Sequence, residues 1–168
     1  MFWNDERLHN WASRNGVTPY DRTLINPASL DLRLGDFYRL PTSLGWSEAR
    51  AIESGGLTLQ PGQFVLLHTL ETTTIPTNSV ALLFLKSSTG RRGLEHLHAG
   101  YGDPGFCGQW TLEVINHWPY PQTIHAGERL FQLCLVDCSI PKVSYAKTGH
   151  YQHQSGPTVA WDNPGVWL

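Results

Sequence analysis

Cysteine is scarce in this chain, with Cys107, Cys134 and Cys138 the only three among 168 residues. An odd count without framework spacing excludes a disulfide-stapled scaffold and fits a reducing compartment. Charge is sparse too: 15% of residues are Asp, Glu, Lys or Arg, the net charge is −2, and the isoelectric point is near 6.4. Such a balance excludes a general attraction to nucleic acid or anionic membrane, so phosphate recognition has to come from a local cluster. No apolar run approaches the length of a membrane span. The opening MFWNDERLHNW is acidic and interrupted, unlike a secretory signal. The expected location is cytoplasmic. Internal repeats and low-complexity segments are also lacking. The length suits one domain, 1–168, that buries a core without staples.

What is present is a series of short apolar runs cut by glycine and proline. Asn4 can cap a helix running to about Arg14, with Leu8, Trp11 and Ala12 on one side and Gly16 ending it. Asn26 to Gly35 reads as a turn entering a strand with alternating Leu30, Leu32 and Leu34. Residues 36–56 are irregular, with a short helix near Ser47–Glu53 as one option. Pro61-Gly62 then separates Leu57–Gln60 from Phe64–Thr74, and Pro76–Asn78 separates that from Val80–Leu85, which is apolar on both faces and suits a central strand. Pro119 and Pro121 mark a further turn before Leu130–Val136. Many short strands with such turns predict an all-β sandwich or barrel. From Lys142 onward periodicity is lost, and composition predicts a mobile arm. Seven tryptophans suit a subunit interface.

The chemistry concentrates in KSSTGRRGLEHLHAGYGDPGFCGQWTLE, Lys86 to Glu113. Lys86-Ser87-Ser88-Thr89-Gly90-Arg91-Arg92-Gly93 offers hydroxyls, backbone N–H groups and cations, which is what a polyphosphate needs; it equally suits a polar turn between strands. Ala99 to Phe106 is a glycine-rich loop around Asp103, and glycine lets a backbone approach a ligand closely. In Trp110-Thr111-Leu112-Glu113-Val114-Ile115, strand alternation puts Trp110, Leu112 and Val114 on one face and Thr111, Glu113 and Ile115 on the other. An acid set among apolar neighbours is either solvated or kept for function, because unpaired burial is costly. His96 and His98 form an H-x-H pair on one strand face, able to chelate a metal, but no third ligand is evident.

These blocks resemble the dCTP deaminase and trimeric dUTPase superfamily, and its deaminase branch most. The resemblance rests on Lys86-Ser87-Ser88-Thr89-Gly90-Arg91-Arg92-Gly93-Leu94, on Ala99 through Gly108, on Thr111-Leu112-Glu113, on Asn26 to Gly35, and on Tyr151-Gln152-His153-Gln154-Ser155-Gly156-Pro157-Thr158. It implies a distorted jelly-roll β-barrel with a short N-terminal helix and a C-terminal closing arm at about 142–168, assembled as a homotrimer or homohexamer. The implied activity is zinc-independent deamination of dCTP to dUTP and ammonia, with continuation to dUMP and diphosphate open. Zinc cytosine deaminases carry H-x-E and P-C-x-x-C motifs; neither occurs here.

The resemblance also assigns roles. Glu113 shuttles protons as base and then acid, Ser87 or Ser88 and the Ala99 backbone position water and the exocyclic amine, and Arg91 stabilises charge. Lys86 through Arg91 hold phosphates, with Mg²⁺ riding on the triphosphate. Asp103 meets the sugar 3′-hydroxyl, and Thr111, Leu112 and Glu113 face the base. Gln132, Tyr145, Tyr151 and Gln154 complete the pocket, although Gln132 also suits a plain core or edge-strand glutamine and Tyr145 a purely structural place. Tyr101 after Gly100 matches the members that go on to dUMP, in which Asp103 orients water toward the phosphates. Three departures bear on base selectivity: His98 replaces a threonine, Gly102 an apolar residue, and the 94–99 loop is one residue short. A dUTPase without deaminase activity and a non-catalytic nucleotide-binding relative are the rival readings; Glu113 argues against the first, and the joint presence of Ser87, Ser88, Arg91, Asp103 and Glu113 against the second.

Overall fold

Alternating apolar residues build two antiparallel sheets that face each other across the core. The computed structural model describes residues 1–161. One sheet has four strands in the order Val17–Thr18, Phe64–Thr74, Cys107–Asn116, Leu94–His96. The other has five, in the order Tyr101–Gly102, Ser79–Leu85, Arg129–Asp137, Ser29–Arg33, Ile25–Asn26. The inner faces meet through Val65, Leu67, Leu112 and Val114 from the first sheet and Leu30, Leu83, Leu133 and Leu135 from the second, all buried. Each fully buried leucine contributes about 1.5–3 kcal/mol. The expected jelly-roll is therefore present, as two facing sheets that are not closed into a continuous barrel. Single bridges, Leu34 to Thr69 and Arg39 to Leu66, carry the chain from one layer toward the other.

Turn chemistry sets the strand ends. Gly62 adopts φ +74 between Leu57–Leu59 and Phe64–Thr74, a conformation that costs glycine little. At the N-terminus Asn4 accepts a hydrogen bond from the Arg7 N–H and starts the Asp5–Trp11 helix, which continues as an irregular turn to Gly16. Leu8 and Ala12 are its buried side chains.

One expectation changes. No helix forms near Ser47–Glu53. Instead Arg50–Ala51 pairs with Phe37–Tyr38, and Gly45–Trp46 with Pro41–Thr42. Ser47 is held by two hydrogen bonds, its Oγ accepting from the Leu40 N–H and its carbonyl from Arg39. The C-terminal segment, as far as it is described, is hydrogen-bonded to the rest of the chain. The His153 N–H donates to the Cys107 carbonyl (2.6 Å), the Gln109 N–H to the Gln154 carbonyl (3.0 Å) and Arg39 Nε to the Pro157 carbonyl (2.9 Å). Backbone pairing of this kind leaves no mark on composition. Residues 162–168 of the expected arm lie outside the described residues.

Candidate active site

The outer face of the four-stranded sheet carries Phe64, Leu66, Thr111 and Glu113, since the register sets Glu113 opposite Leu66 and Ile115 opposite Phe64. The Ala99–Asp103 loop, the Gly45–Trp46 turn and the C-terminal segment roof this face and enclose a cavity of about 470 Å³, a size that suits a small organic ligand. Among the residues the sequence nominates, Ala99, Tyr101, Asp103, Thr111 and Glu113 line it from the sheet and loop. Tyr145, Tyr151 and Gln154 line it from the C-terminal segment. Tyr145 and Tyr151 are braced by their own hydroxyls: the Tyr151 N–H donates to Tyr145 Oη at 3.2 Å, and the Trp161 N–H to Tyr151 Oη at 2.9 Å. Trp46, Phe64 and Leu66 make an apolar wall that the sequence did not signal, because it depends on the irregular 36–56 segment folding over the sheet.

Glu113 is the electrostatic centre of this cavity. Its side chain is 26% exposed, and Oε2 is buried without a hydrogen-bond partner. Burial pushes the carboxyl above the ordinary glutamate range. A bulge between Gln109 and Thr111 sets the strand's approach: the Trp110 N–H donates to Thr69 Oγ1 and its indole Nε1–H to Thr73 Oγ1, both at 2.9 Å. The bulge leaves the alternation intact from Thr111 onward, so Leu112 points into the core with no exposed side-chain area. Only its backbone can meet a base.

The glycine-rich loop packs tightly against the protein's own chain. A Cβ on Gly100 would lie 2.2 Å from the Leu83 carbonyl, and one on Gly102 would lie 2.2 Å from the Trp110 ring. The close approach is thus to the protein's own chain, and the Trp110 indole fills the space an apolar residue at 102 would need.

The remaining nominated residues do not line this cavity. Ser87–Gly90 forms a single helical turn with the Ser87 and Ser88 side chains exposed. The Lys86 ammonium is taken by the buried carboxylate of Asp31, which also accepts from Asn26 at 2.8 Å. Arg92 is paired with Glu128 and the Thr123 carbonyl. Of the three cations, Arg91 alone is exposed with no ion pair or side-chain hydrogen bond among the described residues. Gln132 stands on the outward face of the five-stranded sheet, in register with Phe84 and Asp31. Its Nε2 donates weakly to the Leu85 carbonyl at 3.4 Å. One chain therefore separates the hydroxyl and arginine group from the carboxylate group.

The H-x-H pair does not share a face. His96 is buried at the end of Leu94–His96, whereas His98 takes φ +58 and turns its side chain out, 87% exposed. The strand ends at His96, and the left-handed backbone at His98 turns the chain away. No group of three or more His, Cys, Asp or Glu side chains placed to hold an ion occurs among the described residues. Nor is any helix there long and apolar enough to cross a membrane.

The fold matches a solved 2′-deoxycytidine 5′-triphosphate deaminase from Agrobacterium tumefaciens with a TM-score of 0.69 at 22% identity, over 80% of this chain and 47% of that one. A family model described as dCTP deaminase-like matches residues 4–138. The chain belongs to that family. Among its relatives are proteins of Mycobacterium tuberculosis and Mycobacterium leprae named "dCTP deaminase, dUMP-forming", each 35% identical over a 172-residue alignment covering 92% of this chain and 90% of the relative.

Proposed function

We propose that this chain deaminates dCTP and carries the product on to dUMP. The observation that carries this reading is Glu113, a half-buried carboxyl whose pKa burial pushes up, facing a cavity shared with Asp103 and three tyrosines. Family membership and the relatives' dUMP-forming name support it. In this reading Glu113 takes a proton from water as the oxygen attacks C4 of cytosine, and passes it to N3. The second proton of that water goes by the same carboxyl to the amine, the C4–N4 bond breaks, and ammonia leaves. Thr111 and the Leu112 backbone face the base. Asp103 contacts the sugar and then orients a second water for cleavage of dUTP to dUMP and diphosphate. In this reading Mg²⁺ arrives with the triphosphate. Incubation with dCTP and Mg²⁺, with dUTP, dUMP and diphosphate resolved, tests the proposal. An enzyme inert toward dCTP but active on added dUTP would be a dUTPase instead. Asp103→Asn should leave dUTP accumulating, with the dUMP-forming step slowed about 10²-fold or more. Unchanged dUMP output from the variant would remove Asp103 from that step.

The second half of the site is assigned to a neighbouring copy. Ser87, Ser88 and Arg91 are exposed yet outside the cavity of their own chain, so in this reading they meet the phosphates of a nucleotide held by another protomer. The exposed Phe84, beside Gln132 on the outward sheet face, suits burial between subunits. A homotrimer is expected in sedimentation at micromolar concentration, and a monomer that turns over dCTP at full rate would refute the shared site. The proposed compartment is the cytoplasm, with three free cysteines in keeping.

A further inference from the structure

Asp31 is a buried carboxylate on the outward face of the five-stranded sheet, 2% exposed. Leu30 and Leu32 on either side of it are core residues, and Asp31 stands in register with Gln132 of the middle strand, Arg129–Asp137. An unpaired charge there would be costly. Both oxygens are taken: Oδ1 accepts from Asn26 Nδ2 at 2.8 Å, and Oδ2 accepts from the Lys86 ammonium. Lys86 follows the Ser79–Leu85 strand, which Arg129–Asp137 separates from Ser29–Arg33. Its side chain therefore crosses the middle strand to reach Asp31. Lys86 is also the residue from which the Ser87–Gly90 turn starts, its carbonyl accepting from the Thr89 and Gly90 N–H groups, both at 3.0 Å. No side chain caps this turn. Beneath it, the Leu130 carbonyl accepts from the Lys86 N–H at 2.9 Å and from Thr89 Oγ1 at 3.1 Å.

We infer that Asp31 is a positioning residue for phosphate recognition: it holds Lys86, and through Lys86 it fixes the turn that presents Ser87, Ser88 and Arg91. The inference rests on the phosphate role proposed for those three residues. The far end of the turn is held by Arg92, which pairs with Glu128 and the Thr123 carbonyl. The near end is held by Asp31. Between these two anchors Ser87, Ser88 and Arg91 are exposed, while Thr89 is buried against the sheet. The three cations thus divide into two neutralised anchors, Lys86 and Arg92, and one, Arg91, whose charge faces outward. Ordering two hydroxyls and a guanidinium beforehand removes part of the entropy cost of gathering them around a polyphosphate. Asp31 does this without touching the anion, since both of its oxygens are buried and used.

Inorganic tripolyphosphate with Mg²⁺, bound to the intact chain and followed by calorimetry, reads the turn without the base or the deamination step. Asp31→Asn keeps the shape of the side chain and an acceptor for Asn26, and it releases Lys86 as a free cation. Positioning predicts about 10-fold weaker tripolyphosphate binding, the size of one hydrogen bond to a charged group. The KM for dCTP should rise equally, with kcat within about twofold of the wild type. Lys86→Arg, which can still pair with Asp31, should keep most of the affinity. Lys86→Met alone strands a buried carboxylate, which threatens folding. Combined with Asp31→Asn it removes both charges, and the double variant should unfold near the wild-type urea concentration. Its tripolyphosphate binding should be no weaker than that of Asp31→Asn, because both changes break the same tie. Wild-type affinity in Asp31→Asn or in the double variant would overturn the inference. So would a double variant about 10-fold weaker than Asp31→Asn, which would make Lys86 itself a phosphate ligand. A wild type that binds tripolyphosphate but leaves dCTP unchanged would defeat the proposed activity, while the calorimetric comparison would still decide what Asp31 does.

Discussion

Glu113→Gln should bind dCTP and yet form uracil nucleotide about 10²–10⁴ times more slowly than the wild type. The amide keeps the shape of the side chain but cannot accept a proton from water and hand it on. Phosphate contacts proposed for Ser87, Ser88 and Arg91 are untouched, so affinity measured by calorimetry should persist. Added dUTP should still be hydrolysed, because Asp103 remains. The same variant makes an opposite prediction for stability. Burial raises the Glu113 carboxyl in the folded chain. A carboxyl whose pKa is higher folded than unfolded loses stability as pH rises through that window, because the unfolded chain ionises first. The cost is fully present above the folded value and absent below the ordinary glutamate range. Glu113→Gln should therefore melt higher than the wild type at neutral pH and the same at low pH. Deamination near the wild-type rate would show that another group moves the protons.

How far the sequence discloses this arrangement depends on the range of the forces involved. Strand faces are local, so the separation of Trp110, Leu112 and Val114 from Thr111, Glu113 and Ile115 is legible in alternation alone, and the burial pattern repeats it. Gly62 and the Pro-rich breaks mark strand ends for the same reason. The 36–56 segment is not legible. Its two-residue ladders are held through Arg39, which reaches Leu66 and Pro157 outside the segment and Ser47 within it, and local propensity carries no trace of that. The C-terminal segment is similar, since its composition gives no sign of the hydrogen bonds its backbone makes to residues of the Cys107–Asn116 strand.

For the site, residue type is more legible than residue partnership. Lys86, Arg91 and Arg92 read alike as cations, but Lys86 is committed to buried Asp31 and Arg92 to Glu128, and only distance in space distinguishes them. His96 and His98 read alike as possible ligands until the left-handed turn at His98 sends them apart. The contact between His96 and Glu113 has no local signal either, because the two residues are 17 positions apart and meet across a strand edge. Such pairs become visible only when the sheet register is known.

The largest stability effect is expected where the two sheets are tied by charge. Arg33, at the end of Ser29–Arg33, donates its backbone N–H to Glu71 Oε2 at 2.8 Å and its Nε–H to Oε1 at 2.6 Å. The Glu71 side chain has no exposed area, while that of Arg33 is 23% exposed. Burial pushes the Glu71 carboxyl upward, and the hydrogen bonds and charge of Arg33 pull against it. Arg33→Met keeps the packing of the stem and removes the guanidinium, leaving the carboxyl buried beside a single backbone N–H. Breaking a buried pair from one side costs about 3–5 kcal/mol, which should appear as a lower urea midpoint with unchanged slope at neutral pH. The carboxyl pKa then rises further, so the variant recovers stability as pH falls and Glu71 takes up a proton; the gap to wild type should narrow below neutrality. Adding Glu71→Leu removes the stranded group and should restore most of the loss, since an apolar replacement of the whole pair is often neutral. If Arg33→Met alone unfolds at the wild-type urea concentration, the Arg33–Glu71 pair does not tie the sheets together.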